Sequence, residues 1–431
     1  MLRLLLALSL LLAPGPGAGA PASIRCTPTA VELPGRGLVR AAHPIARALE
    51  AAGPGTVIYL DPGTYEPFTI GMGNGAPNDA RTHGGTRAAP IIVDGGGVVR
   101  IRGKTDAIAI DQRVPNRYIT FKDITILAGE RSGVIFFRQS SGRVHEGYAF
   151  EDCDILGGFN HATGRGRRSK WGLSGHSVSN LRFLGTVEPA RVEGIEKEHA
   201  FYIQNPRGAV LLQNIRATGL GRTFCQFTAR SKEGPPGRGQ ITIRDCDVSD
   251  CGLAAGDDHK GGSAFTFAGG LEGVILLENN VYHAGSRKDL LHLTRRGEPY
   301  GTGALVAWAE ERGRENGVLV LRDNRFYFAP GCGDRPVVSI GGCRKVRIVG
   351  ENVFRAGNRW PALALDPVRD NGTLVSSPNG AVELDARTEL QGSPNEQRKA
   401  LLTVRGKPMR PEEFRAKQAR RKEGRESPGN D

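Results

Sequence analysis

Three segments of this 431-residue chain concentrate the side chains that usually carry acid–base chemistry. One is Glu198-His-Ala-Phe-Tyr202, one is the cationic stretch that follows it, and one is Ala255-Gly-Asp-Asp-His-Lys260. The candidate catalytic residues are His199, Tyr202, Arg230, His259 and Lys260. The candidate substrate-binding residues around them are Arg138, Gln204, Arg222, Gln226 and Lys232.

The residue types in these segments suit the β-elimination of a uronate. That reaction needs a cation to neutralise the carboxylate, a base for the neighbouring proton and an acid for the leaving oxygen. Arginine, lysine, histidine and tyrosine can supply all three. No diagnostic spacing accompanies them, so an alternative stays open in which His199 only hydrogen-bonds a turn.

Asp257 and Asp258 are the candidate metal ligands, because carboxylate oxygens are preferred by Ca²⁺. The same pair could instead provide the two carboxylates of a glycoside hydrolase, or form a solvated turn. Ca²⁺ is the only cofactor that the sequence suggests. The seven cysteines show no Cys-x-x-Cys or paired Cys/His spacing typical of zinc.

A recurring pattern indicates how these residues are positioned: apolar, any, apolar, any, Asp or Asn, then glycine a few residues later. Its anchors are Asp123, Asp152, Asn214, Asp245, Asn279, Asp323 and Asn352. They recur at steps of 29 to 44 residues, with one double step of 62 that a weaker copy at Leu181 to Phe183 divides. Periods of this length indicate a solenoid.

Each copy alternates apolar and polar residues with period two, which predicts short strands and turns. Stacked coils of such strands form an all-β, single-stranded parallel β-helix. The Asp and Asn anchors fit bends, because their side chains tolerate the left-handed conformation. Asn280 and Asn324, one residue after an anchor, are expected to stack their amides inside the coil. Cys153 and Cys246 take the same inward position, too many coils apart to form a disulfide.

Alignment of the middle strand of each coil predicts a column of side chains that point outwards between inward apolar residues. A rigid column of this kind suits a linear sugar chain. The residues expected in it are Phe136, Arg138, Tyr202, Gln204, Gln226, Thr228, Arg230 and Thr266.

The N-terminal part carries a more specific signal. A helix-compatible stretch from His43 to Ala52 precedes Gly-Pro-Gly, and the segments Thr56 to Tyr65, Ala89 to Gly97 and Tyr118 to Ile124 follow. This order resembles the opening of secreted right-handed β-helix proteins of the pectate-lyase-like superfamily, and is most similar to the branch of chondroitinase-B-type and alginate lyases. The resemblance implies a right-handed parallel β-helix over residues 40 to 370 with an N-terminal capping helix.

The same resemblance implies a carbohydrate-active protein, either a polysaccharide lyase or an epimerase, acting on an acidic uronate glycan. The same fold also hosts hydrolases and non-catalytic adhesins. A non-catalytic glycan-binding surface protein and a glycoside hydrolase therefore stay open. The Gly-Asp-Asp of the fold's hydrolases is present, but the later motifs of that group are not.

Residues 1 to 20 are typical of a secretory signal peptide, with an apolar run from Leu4 to Leu12 that is too short to span a membrane. We therefore expect a secreted, periplasmic or extracellular monomer. In such a compartment Cys246–Cys251 and Cys332–Cys343 are the local disulfide pairs to test.

The chain carries a net charge of +13, from 58 Lys and Arg against 45 Asp and Glu. Residues 395 to 431 hold part of this charge with almost no aromatic anchor, and are expected to form a basic, poorly ordered tail. The arginine excess elsewhere suits an acidic polysaccharide as partner, whereas nucleic acid is not expected for an exported protein. The alternative interpretation is a surface charged for solubility.

Overall fold

A computed structural model describes twelve stretches of the chain. They are residues 22–137, 143–157, 170–188, 198–229, 237–252, 263–285, 303–309, 314–333, 335–357, 360–367, 378–393 and 401–422. The two helices are α1 Pro44–Ala51 and α2 Pro411–Lys422. The strands are β1 Ser23–Thr27, β2 Ala30–Leu33, β3 Gly37–Arg40, β4 Val57–Leu60, β5 Gly63–Tyr65, β6 Phe68–Ile70, β7 Asp79–Ala80, β8 Ile91–Arg102, β9 Asp106–Ile110, β10 Arg117–Ala128, β11 Ser132–Phe136, β12 His145–Gly157, β13 Lys170–His176, β14 Val178–Ser179, β15 Leu181–Glu188, β16 Glu198–Gln204, β17 Val210–Thr218, β18 Thr223–Thr228, β19 Ile241–Arg244, β20 Asp247–Ser249, β21 Phe265–Ala268, β22 Val274–Glu278, β23 Val281–Ala284, β24 Leu305–Trp308, β25 Asn316–Arg322, β26 Arg325–Phe328, β27 Val338–Ile340, β28 Cys343–Val349, β29 Val353–Arg355, β30 Leu363–Leu365, β31 Ala381–Leu384, β32 Glu389–Gln391, β33 Leu402–Val404 and β34 Lys407–Met409.

Apart from the antiparallel pairs β1–β2, β2–β3 and β33–β34 at the two ends, these strands stack in parallel as three ladders, which confirms the predicted parallel β-helix. In the later coils, ladder A consists of β19, β22, β25, β28 and β31, and ladder B consists of β20, β23, β26, β29 and β32. In the earlier coils the long strands β8, β10, β12, β15 and β17 bend and contribute to both ladders. Ladder C is a separate 13-stranded sheet that includes β11, β13, β16, β18, β21 and β24. One coil thus contributes one segment to each ladder.

The bend between ladders A and B coincides with the anchor of the repeat. The backbone is left-handed, with φ of 52° to 57°, at Asp123, Asp152, Asn214, Asp245, Asn279 and Asp323. This confirms the architectural role predicted for these residues, since Asp and Asn tolerate that conformation. The weaker copy is confirmed as a coil of its own, because Phe183 pairs in register with Phe150 before it and Leu212 after it.

The interior of the coil is filled by apolar side chains of all three ladders. Phenylalanines of successive coils stack on one another, for example Phe121 on Phe150 at a centroid distance of 5.2 Å and Phe326 on Phe354 at 5.5 Å. Burial of these side chains supplies the main stabilising free energy of the fold. Helix α1 buries Ile45, Ala48 and Leu49 and contacts β1, β2, β6 and β7; its role as a cap stays a prediction.

The predicted stack of asparagines lies inside the coil and also contains Asn352. The prediction of Asn352 as a bend anchor is therefore wrong, because this residue is fully buried and does not have the left-handed backbone of the other six anchors. The Asn280 side-chain amide donates to the Asn324 Oδ1 at 3.0 Å, and the Asn324 amide donates to the Asn352 Oδ1 at 3.3 Å. The Cys246 backbone N–H donates to the Asn280 Oδ1 at 3.1 Å. All three asparagine side chains are fully buried, so the ladder satisfies polar groups that water cannot reach.

The seven cysteines are all free and buried, so neither predicted local pair is bonded. Cys153 and Cys246 are inward-facing, as predicted, and the strand register separates them by three coils.

The C-terminal boundary differs from the prediction. Parallel pairing continues past residue 370 through β31, β32 and β33, and the expected poorly ordered tail contains β33, β34 and α2. The strands here are only three or four residues long, so their alternation is weak. Helix α2 is charged on nearly all sides, and Phe414 is its one aromatic contact with the core. At the other end, pairing begins at β1, before residue 40.

Candidate functional site

The outer face of ladder C carries a row of polar side chains, one per coil. Ser174, Tyr202, Gln226 and Thr266 are register partners on consecutive strands. They alternate with core residues such as Phe201 and Phe227, so they point away from the interior. Tyr202, Gln204 and Gln226 are half-buried, which confirms their predicted outward orientation, whereas Thr228 and Thr266 take the outward positions of their strands but are only 2 % and 4 % exposed.

The strands of ladder C begin with a departure from strict alternation that brings His199 next to Tyr202. Ala200 and Phe201 are both in the core, although they are consecutive, and Phe224 and Cys225 repeat this arrangement one coil later. The residue before each pair is therefore on the outer side. The rings of His199 and Tyr202 contact each other at a centroid distance of 5.2 Å.

Thr223 holds the His199 ring from the next coil. Its hydroxyl lies 2.5 Å from the His199 Nδ1, and both residues are almost inaccessible to solvent. Burial, together with the nearby positive charge of Arg222, lowers the pKa of His199 to about 3. The imidazole is therefore neutral at neutral pH and can act only as a hydrogen-bonding group or a proton acceptor.

Solvent access divides the residues of this face. Tyr202, Gln204, Arg222 and Gln226 are half-buried. His199, in contrast, is 2 % exposed. A polymer lying on ladder C could therefore contact the phenol, the guanidinium and the two amides directly. The His199 imidazole can influence that contact through Tyr202, whose ring it touches.

The position of Phe136 is a correction to the predicted outward column. Phe136 belongs to the core and is 2 % exposed, while Ile135 takes the outer position opposite Ser174. When the alternation of a strand is assigned one residue out of step, the inward and outward side chains are exchanged. The apolar run Val134 to Phe137 gave no polar residue to fix the choice.

Several predicted site residues lie outside the described residues: Arg138, Arg230, Lys232, Asp257, Asp258, His259 and Lys260. Their roles stay predictions. Within the described stretches no group of three or more His, Cys, Asp or Glu side chains could hold a metal ion.

Thr223 is a site residue that the sequence analysis missed. It precedes Phe224-Cys225 as His199 precedes Ala200-Phe201, and it pairs in register with His199. That correspondence between consecutive coils is the signal that could have identified it. His176 is a second one: it pairs with Gln204 in register on the same face, 6 % exposed, with its Nδ1 at 2.9 Å from the Ser177 hydroxyl.

Comparison with solved structures finds similar folds at low identity. An alginate lyase from Paenibacillus sp. str. FPU-7 is 12 % identical with a TM-score of 0.47, covering 85 % of this chain and 99 % of its own. Pectate lyase Pel9A is 12 % identical with a TM-score of 0.45, covering 86 % and 79 %. A mannuronic acid specific polysaccharide family 6 lyase from human gut microbiota is 12 % identical with a TM-score of 0.43, covering 87 % and 83 %.

No protein-family model and no curated protein matches the chain. Among the described residues, no helix is long and apolar enough to cross a membrane.

Proposed function

We propose that this protein is a secreted carbohydrate-active enzyme that cleaves an acidic uronate polysaccharide by β-elimination, or epimerises it, on the outer face of ladder C. The observation that carries the proposal is the contact between His199 and Tyr202 with Arg222 close enough to depress the imidazole pKa. A phenol, a neutral imidazole and a guanidinium on one rigid face are the group types that this chemistry requires.

In the proposed reaction the C5–H bond and the bond from C4 to the bridging oxygen break, and a C4–C5 double bond forms. Arg222 neutralises the uronate carboxylate, which makes the C5 proton more acidic. Tyr202 donates the proton that the leaving oxygen needs. His199 positions the phenol, because its own ring is nearly inaccessible. Gln204 and Gln226 hydrogen-bond sugar hydroxyls in neighbouring subsites.

The remaining predicted residues complete the proposal. His259 is the proposed base for the C5 proton, with Lys260, Arg230, Lys232 and Arg138 as cationic contacts to the polymer. Asp257 and Asp258 are proposed to hold Ca²⁺, which would supply further charge for the carboxylates. An epimerase would use the same base and cations, and would return the proton to the opposite face of C5.

The direct test is incubation with alginate, pectate, chondroitin and heparin, each with and without Ca²⁺, while the ultraviolet absorbance of the unsaturated uronate product is followed. A rise on one polymer supports elimination. Exchange of the C5 proton without a rise supports the epimerase. New reducing ends without either change would indicate a glycoside hydrolase that uses Asp257 and Asp258.

Tyr202→Phe tests the residue assignment. We expect kcat/KM to fall about 100-fold or more, because a positioned acid commonly contributes that much. The free energy of unfolding should change by less than about 0.5 kcal/mol, since the hydroxyl lies on the outer face. Ser339→Ala is the matched control, because Ser339 continues the same outer row through Thr266 and Val306 at a distant coil. Equal activity of Tyr202→Phe and the wild type would exclude Tyr202 as the acid.

A non-catalytic glycan-binding protein is the second candidate. The near inaccessibility of His199 favours it, as do the two amides of Gln204 and Gln226 in neighbouring rows of the face. This candidate predicts salt-sensitive retention on an alginate or heparin resin without any product.

A further inference from the structure

A second row of outward side chains runs along ladder B, on a different side of the coil from the candidate site. We call it the axial column. Its members are register partners on consecutive strands, and they are Thr218, Ser249, His283, Tyr327, Arg355 and Gln391. They alternate with core residues such as Tyr282 and Phe354, so they face outwards.

Neighbouring members of the axial column contact one another along the coil axis. The Ser249 hydroxyl donates to the Thr218 hydroxyl at 2.8 Å. The His283 ring stacks on the Tyr327 ring at 5.3 Å with an interplanar angle of 25°. The Arg355 guanidinium lies over the Tyr327 ring in a cation–π contact, 5.1 Å from the ring centroid. The Arg355 Nε donates a hydrogen bond to the Gln391 Oε1. The column is therefore preorganised without a ligand.

The charge of Arg355 distinguishes this column from the surface of ladder A. There, arginines form ion pairs with carboxylates of an adjacent coil, and examples are Arg182–Glu151, Arg322–Glu278 and Arg347–Glu383. The contacts of Arg355 within the described part of the chain are a tyrosine ring and an amide, both neutral. Arg355 is exposed, and no carboxylate of the described residues forms an ion pair with its guanidinium.

The rest of the ladder B face is compatible with an anion. A parallel row lies two residues earlier on each of these strands. It contains the exposed Arg216 and Arg325 and the carboxylates of Asp247 and Glu389. From the coil of Arg216 to that of Glu389, the two rows together hold three arginines, including Arg355, and two carboxylates. Glu389 already accepts a hydrogen bond from the Gln391 amide at 2.6 Å, which partly satisfies it.

We propose that the axial column binds an acidic polysaccharide that lies along the coil axis, with its carboxylate or sulfate groups on Arg355 and its hydroxyls on His283, Ser249 and Thr218. A linear polymer fits because consecutive members of the column are one coil apart, about 4.8 Å. Charge-assisted hydrogen bonds from a fixed guanidinium supply the affinity for the anionic group.

The stacking direction argues against other polymers. The faces of the His283 and Tyr327 rings are turned towards their neighbours in the column, so their edges point to solvent. A base of single-stranded nucleic acid needs an open aromatic face for stacking, and so does a neutral sugar ring. Neither finds one here. Recognition therefore depends on charge and hydrogen bonds, and this proposal does not depend on any chemistry at ladder C.

The test uses the full chain and fluorescently labelled oligomannuronate and oligogalacturonate, with maltohexaose as the neutral probe and a single-stranded DNA oligonucleotide as the competing polyanion. Arg355→Gln should weaken binding of an acidic oligosaccharide at least about tenfold, as expected for loss of a charged hydrogen bond. Arg355→Lys, which retains the charge, should restore part of the loss. Arg322→Gln is the matched control and should change affinity less than about twofold, because Arg322 is already paired with Glu278.

Each measurement is repeated in a Gln226→Ala background, which weakens any binding at ladder C. A similar fold-loss from Arg355→Gln in both backgrounds supports a separate site. Unchanged affinity in both backgrounds overturns the proposal, and so does equal binding of maltohexaose or tighter binding of the DNA. Lyase and epimerase activities are recorded in parallel: the absence of both would refute the function proposed for ladder C and leave the axial column unaffected.

Discussion

At the scale of single residues, the buried histidines couple folding to pH. The His145 Nε2 donates to the Phe137 carbonyl at 2.8 Å, and its Nδ1 lies 3.4 Å from the Gln112 amide nitrogen, which can only donate. The ring is thus fixed in one neutral tautomer. Burial is the main cause that lowers the pKa of His145 to about 4; the Phe137 hydrogen bond and Asp111 partly oppose it, and neighbouring His176 adds to it.

The sign of the pH dependence follows from the unfolded chain, where the pKa of a histidine is about 6.5. Below that pH the unfolded state binds protons that folded His145 and His199 do not. We therefore expect the free energy of unfolding to fall as pH decreases from about 6.5 towards 4, by about 1 kcal/mol per pH unit for each such histidine. Urea unfolding at a series of pH values measures it.

His145→Gln should make this dependence shallower, even if the variant is less stable at pH 7 through its lost contacts. Parallel stability curves of the variant and the wild type would show that His145 does not contribute. Folded His145 resists protonation because a proton on its Nδ1 would face the N–H groups of the Gln112 amide and be repelled by them.

Sequence could predict the outward orientation of Tyr202 and Gln226 because both stand between apolar residues on strands with clear alternation. It could not decide the environment of His199. Two consecutive inward residues, Ala200 and Phe201, interrupt the alternation at the start of the strand. The contact with Thr223 arises between coils that are separated by 24 residues of sequence. Strand pairing fixes that contact, and strand register is weakly encoded at such bends.

At the scale of elements, the asparagine ladder ties consecutive coils together at the bend between ladders A and B. The Asn280 side chain donates to the Ile243 carbonyl and to the Asn324 Oδ1, and accepts from the Cys246 backbone N–H. Asn280→Ala removes these partners from groups that stay buried. It should therefore lower the free energy of unfolding by about 1–3 kcal/mol, measured by urea unfolding.

Asn279→Gly is the matched control next to it in the chain. Asn279 is exposed and has a φ of 53°, which glycine adopts without strain, so we expect a change below about 0.5 kcal/mol. A similar loss in both variants would mean that the bend, and not the buried amide, carries the effect. Activity on polysaccharide should be retained in Asn280→Ala, because the ladder lies inside the coil and away from ladder C.

The repeat also shows which elements sequence can define. Six anchors with a left-handed backbone, from Asp123 to Asp323, recur in copies whose apolar residues alternate, and these define the coils. The last coils are built from β31, β32 and β33, which are too short for alternation to be recognised. Their pairing depends on the edge that earlier coils present, so it is a consequence of tertiary structure more than of local sequence.

At the scale of the whole molecule, a solenoid must protect its two ends, because an unpaired strand edge can pair with another molecule. At the C-terminal end of ladder A that edge is β31, and helix α2 lies against it. The Gln418 side chain takes the place of a further strand: its Nε2 donates to the Val382 carbonyl, and its Oε1 accepts from the Leu384 N–H at 3.3 Å. Arg415 adds hydrogen bonds to the carbonyls of Asp385 and Thr388.

We therefore expect Gln418→Ala to expose the edge of β31 and to promote association through it. The expected result is faster, concentration-dependent aggregation on warming, followed by light scattering, with binding of a β-sheet-specific dye. Lys417→Ala, a neighbouring exposed position on the same helix, is the control and should behave as the wild type. Equal aggregation of the two variants and the wild type would mean that the two hydrogen bonds of Gln418 do not protect this edge. The charged helix would then act by electrostatic repulsion, which high salt would remove from all three proteins alike.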